Sequence, residues 1–148
     1  MAPWADALYA MDTPWWNVHH GEVSQVFKGL RVRGSGSAQS RFAERAMFGV
    51  GCLNSGAGAL LMAKHYGAKL IIMLGYDCKA DSDGNRHWHG AHGSGLGNAG
   101  KMHMWPEQFA KVAKQMGQTR VINATRETAL ECFERMNLHA ALGGFSDG

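Results

Sequence analysis

A helix pattern that runs, after one glycine, into a short apolar strand constrains this chain more than any other feature. Gly56 to Tyr66 carries Ala57, Leu60, Leu61, Ala63 and Lys64 at helical spacing, and Gly67 stands where such a helix ends. Lys69 to Leu74 follows at once and reads as a strand. A continuous run such as Leu70-Ile71-Ile72-Met73-Leu74 suits a parallel strand covered on both faces. Parallel strands need crossover connections, so the pair predicts an α/β architecture.

The rest of the chain extends that order. Ala7 to Met11 reads as a short buried strand ending at Asp12. Thr13-Pro14 reads as a helix start with Thr13 as cap, and Gly21 as its end. Phe27 to Arg33 is expected to be a strand with Arg31 and Arg33 on one face, solvated at a sheet edge. Pro106 to Met116 is a second helix with Phe109, Val112, Ala113 and Met116 on one side. Thr119 to Ile122 is a strand ending at Asn123, and Thr125 or Arg126 to Phe133 a last short helix. Residues 75–104 show no regular period, and a loop that long is usually functional or mobile. The expectation is one domain over residues 1–148, with a His-rich loop at about 75–104.

Composition excludes several classes. The net charge of +3, from 15 basic and 12 acidic residues, is too mild for a nucleic-acid platform. Three cysteines without a Cys-x-x-Cys argue against a disulfide framework and for a reducing, cytoplasmic setting. The start lacks the basic and apolar blocks of a signal peptide, and no apolar run could span a bilayer. The tryptophans Trp4, Trp15, Trp16 and Trp105 read as core or interface packing, and the tryptophan-rich start could pair subunits.

Three constellations could carry chemistry. Asn54-Ser55-Gly56-Ala57-Gly58 opens a helix, where free N–H groups favour an anion. Ser55 would cap the helix, and Gly56 and Gly58 would either admit a ligand to the backbone or pack helix against sheet. Gly75-Tyr76-Asp77 puts an acid past a buried strand, where it could hold a ribose hydroxyl, a metal ion or a turn. His87, His89 and His92 follow, with His87 and His89 pointing the same way in an extended segment. With Asp77 they could hold a divalent metal ion, one could serve as general base or acid, or all could be polar loop residues without such a role.

These motifs occur in a telling order. Ala5-Asp6-x-x-Tyr9-x-x-Asp12, Asn54-Ser55-Gly56, Ile71-Ile72-Met73-Leu74-Gly75-Tyr76-Asp77, His87-Trp88-His89-Gly90, and Val121-Ile122-Asn123-Ala124-Thr125 before Ala129-Leu130-x-x-Phe133 follow one another. Together they resemble phage-borne relatives of a superfamily of Rossmann-like transferases. That superfamily includes 6-hydroxymethylpterin diphosphokinase-like proteins, motility accessory factors and bacterial sialyltransferases. The resemblance implies a three-layer Rossmann-like fold with a mostly parallel sheet. Such relatives carry an extra strand and turn before the Ala-Asp-x-x-Tyr segment, so the resemblance implies either a sheet lacking its first strand or a true start that lies upstream. It also implies a nucleotide or nucleotide-sugar ligand touching Asn54, Ser55, Gly56, Gly58, Asp77, Asn123 and Thr125, with His92 or His89 as general base. Where the sialyltransferases have tyrosines that steady the leaving phosphate, this chain has Cys78, Lys79 and Arg86, and Lys79 or Arg86 could take that role. The function expected is glycosyl or phosphoryl transfer, the latter with a divalent ion. Two alternatives are a non-catalytic phage accessory or structural protein that keeps the fold, and a metal-dependent hydrolase built on the histidine loop.

Overall fold

The computed structural model describes residues 2–34, 44–45, 54–85, 96 and 99–143. It is mixed α/β, and every described strand pair is parallel. The strands form two sheets of three. The first has the order β1 (Ala7–Ala10), β2 (Leu30–Arg33), β3 (Glu44–Arg45). The second has the order β4 (Leu70–Met73), β5 (Arg120–Asn123), β6 (Glu134–Arg135). The helices are α1 (Thr13–Val26), α2 (Ser55–His65), α3 (Trp105–Ala113) and α4 (Leu138–Gly143), with a 3₁₀ turn at Met102–Met104. Among the described residues no helix is long and apolar enough to cross a membrane.

The larger core lies between α2, α3 and the second sheet. Ala57, Leu60 and Leu61 of α2 meet Phe109 and Val112 of α3 over Met73 and Val121. Leu130 and Phe133 close that core from the segment after β5. The strand after α2 begins where expected because Gly67 takes φ +91°, a left-handed conformation that ends the helix cheaply only in glycine. The smaller core is Ala10, Trp16, Val23 and Phe27. Trp16 is fully buried there and its indole N–H donates to the Ala10 carbonyl at 3.0 Å, which ties α1 to β1.

Four expectations need correction. The first helix does not stop at Gly21 but runs to Val26, because Val23 and Phe27 continue its buried stripe. Its cap position is Asp12, one residue before Thr13. The strand with Arg31 and Arg33 is not a solvated edge: β2 is the central strand of its sheet and Arg33 is 3% exposed. Arg31 folds back instead, donating to the Ser24 hydroxyl and the Phe27 carbonyl at the end of α1.

The fourth correction matters most for function. No helix spans residues 125–133; the chain bends there and returns as β6 before α4 begins. Side chains in this stretch bond to nearby backbone and hold a turn, which competes with helix. Thr125 N–H donates to Asn123 Oδ1 at 3.1 Å and Leu130 N–H to Thr128 Oγ1 at 3.1 Å. Strand β6 is Glu-Arg, with no apolar period to reveal it, and its register against β5 is supported by a two-point Arg120–Glu134 ion pair at 2.7 and 2.9 Å.

Candidate functional site

The start of α2 is built by Asn54, not by Ser55 as expected. Asn54 Oδ1 accepts the Ala57 N–H at 2.8 Å, while its Nδ2 donates to Gln108 Oε1 on α3 at 2.7 Å. Ser55 Oγ instead accepts the Met11 N–H at 3.1 Å, just beyond the carboxyl end of β1. The two glycines serve close packing. A Cβ on Gly58 would stand 2.4 Å from the Tyr9 hydroxyl, and one on Gly56 would stand 2.9 Å from Cε1 of Tyr76. The helix start therefore abuts Tyr9 of β1 on one side and Tyr76, beyond β4, on the other.

Beyond β4 the chain turns at Gly75, with φ +73°. The turn is fastened to the one after β5. Tyr76 N–H donates to Thr125 Oγ1 at 2.9 Å, Thr128 Oγ1 donates to the Tyr76 carbonyl at 2.5 Å, and Ala129 N–H donates to the Asp77 carbonyl at 2.8 Å. Asn123 is fully buried, and its amide reaches Thr128 Oγ1 at 3.4 Å. Asn123 thus braces the turn, and the Thr125 hydroxyl oxygen accepts one of the bonds that fasten it.

These fastened turns form one side of an open cleft of about 680 Å³ over the carboxyl ends of β4, β5 and β6. Its polar lining is Asp77, Thr125, Arg126, Arg135 and Asn137. Its apolar lining is Leu74, Ala124, Met136 and Leu138. The Arg135 guanidinium is held in place, since Nη2 donates to the carbonyls of Thr125 and Arg126 at 2.8 and 3.1 Å. Among the described residues, the Asp77 carboxylate and the Arg126 guanidinium make no ion pair, so both charges are open to a ligand. The volume and the mixed lining are those of a small-molecule site.

Titration narrows the chemistry. Burial pushes the Cys78 thiol up to about 12, with help from the neighbouring Asp77 charge and Cys132. Cys78 is therefore a neutral thiol near pH 7 and a poor nucleophile. Burial, and then Cys78, push the Tyr76 phenol up to about 12 as well.

The expected site residues thus divide. Asp77 and Thr125 line the cleft. Asn54, Ser55, Gly56 and Gly58 do not, although they abut the same turn through Tyr76. Lys79 pairs with Glu127 at 2.8 Å and is not part of the lining. Arg86, His87, His89 and His92 lie outside the described residues. The metal set of Asp77, His87 and His89 therefore falls partly outside them, and no three His, Cys, Asp or Glu side chains converge among those described. Arg126 and Arg135 were not legible as site residues. Arg126 follows Asn-Ala-Thr directly, a strand-end position that could have been read. Arg135 sits on a strand the sequence does not announce. In comparisons with known proteins, no family, no curated protein and no solved structure matches this chain.

Proposed function

We propose that this protein binds a nucleotide or nucleotide sugar in the cleft over β4, β5 and β6, and that it is transferase-like. The observation that carries the reading is the convergence of two arginines and an uncommitted aspartate at the carboxyl edge of a parallel sheet. Guanidinium groups suit phosphate because their N–H forks match its oxygens. Arg126 and Arg135 take the phosphate, and Asp77 accepts hydrogen bonds from sugar hydroxyls. A histidine of the 87–92 segment deprotonates the acceptor hydroxyl in a glycosyl transfer. The phosphoryl version uses a divalent ion with Asp77 among its ligands. The helix start at Asn54 and Ser55 is engaged in holding the fold, which moves the anion from that start to the arginines.

For the fold, the same reading joins the two sheets as halves of one Rossmann-like sheet, in the order β3-β2-β1-β4-β5-β6. Its support is the start of α2, which bonds to the end of β1 through Ser55 and packs on Tyr76 beyond β4. In such an arrangement the switch point falls between β1 and β4, beside the cleft over β4, β5 and β6.

The test is calorimetric titration with nucleotides and nucleotide sugars, for the native chain and for Arg126→Ala. Removing a charge-assisted contact of about 1.5–3 kcal/mol weakens binding by roughly ten- to a hundredfold. A folded protein that binds none of these ligands refutes the reading. A second reading, a non-catalytic accessory protein, draws on Gly56 and Gly58 being filled by aromatic rings. It expects His89→Ala and His92→Ala to leave the biological activity intact.

A further inference from the structure

We infer that the cleft discriminates for the base of its ligand, taking nucleoside phosphates in preference to plain sugar phosphates, because it is built as an apolar slot beside a cationic patch. This inference rests on the cleft being a nucleotide site.

The slot follows from strand order. Strand β5 lies between β4 and β6, so the residues that leave these three strands stand side by side. Leu74 leaves β4, Ala124 leaves β5, and Met136 and then Leu138 follow β6. Large apolar side chains therefore flank the cleft on two sides, with one small methyl group between them. The flanking strands are two strand spacings apart, roughly 9–10 Å. Carbon atoms of Leu74, Met136 and Leu138 in this lining offer van der Waals contact at about 3.5–4 Å to the face of a planar ring.

These walls are exposed to solvent rather than used in the core. Leu74 is 55% exposed and Leu138 is 39% exposed. Neither belongs to the two buried clusters. Apolar surface left open within a concave site marks a position for the apolar face of a ligand.

The cations stand beside the slot. Arg126 is two residues beyond Ala124, and Arg135 is anchored across the same turn by its two carbonyl bonds. Those bonds occupy Nη2 and leave Nη1 and Nε of Arg135 for an anion. A ligand with a flat ring joined to a phosphate through a short polar linker satisfies both features. A sugar phosphate satisfies the cations and Asp77 but leaves the apolar walls uncovered.

Titration of the full chain with adenosine, cytidine and uridine 5′-monophosphates, ribose 5-phosphate and inorganic phosphate tests this. At least one nucleoside monophosphate is expected to bind about tenfold or more tightly than ribose 5-phosphate, equivalent to about 1.4 kcal/mol. Leu74→Ser is expected to bring the two within threefold of each other while ribose 5-phosphate keeps its affinity. Leu138→Ser gives an independent variant on the opposite wall with the same expectation. Equal affinities in the native protein, or a uniform loss for all probes in both variants, overturn the inference while the phosphate site survives. Binding of none of the probes refutes the nucleotide reading of the cleft, and the inference with it.

Discussion

Alanine at Gly58 places a methyl group where Tyr9 already stands. The new carbon would lie 2.4 Å from the Tyr9 hydroxyl oxygen, 2.5 Å from Cε1 and 2.6 Å from Cζ. Favourable contact needs about 3.5–4 Å, so the ring must retreat by about 1 Å. Gly34 packs near the same hydroxyl, since a Cβ there would lie 3.2 Å from it, which limits the retreat. Overpacking of this kind costs about 1–3 kcal/mol, against a helix-propensity gain of about 1 kcal/mol for replacing glycine by alanine. The expected net effect is a loss of up to about 2 kcal/mol, or a fall in Tm of up to about 6 °C for a chain of this size. Gly21 in α1 is the control, because nothing lies within 4 Å of its Cβ position. Gly21→Ala should raise Tm by up to a few degrees through propensity alone. Thermal melts followed by circular dichroism measure all three quantities when Gly58→Ala is also made in a Tyr9→Ala background. There the methyl group has room, and the penalty should vanish or change sign. A stabilised Gly58→Ala in the native background, or the same penalty with Tyr9 removed, would refute the packing role assigned to this glycine.

Two further outcomes follow from the site's supports. Asn54→Ala removes the cap of α2 and strands the buried Gln108 amide, so a loss of about 2–4 kcal/mol is expected in urea unfolding. Asn54→Asp should recover most of it, because a carboxylate accepts both from Ala57 N–H and from a rotated Gln108 amide. Tyr76 should ionise only near pH 12, with Tyr76→Phe removing that late step from an ultraviolet absorbance titration. Its pKa is raised in the folded protein, so its stabilising share is complete below the ordinary phenol value of about 10 and is lost as pH climbs towards 12. Cys78 acts in the same direction from its lower unfolded value, so alkaline unfolding should be less steep in Tyr76→Phe and Cys78→Ala.

The parallel α/β class was legible because α2 and β4 are apolar, periodic and separated by a glycine at positive φ. Phe109 and Val112 were legible as packing residues through their helical spacing, and Trp16 through being a tryptophan. The place of Asp77 in the cleft lining was legible because Gly75-Tyr76-Asp77 comes soon after an apolar strand. What could not be read has a common cause. Segment 125–135 is organised by side-chain bonds to backbone and by an ion pair, none of which has a period. Its residues therefore resembled a short helix, and the arginines it carries went unassigned. The roles of Gly56 and Gly58 depended on Tyr76 and Tyr9, which are distant in sequence, so the residues alone left packing and ligand approach equally open.

Strand β6 meets its neighbour at only two ladder positions, Ile122 with Glu134 and Asn123 with Arg135. It is the cheapest part of the second sheet to detach, because local opening costs least where few backbone bonds are broken. Detaching it carries away Arg135, Met136 and the start of α4, which is one whole jaw of the cleft. The opposite jaw, Leu74 to Asp77, is fastened to the turn after β5 and stays with the core. Any ligand that bridges Arg126 and Arg135 also pins this strand, so filling the cleft and closing the sheet edge are a single linked equilibrium.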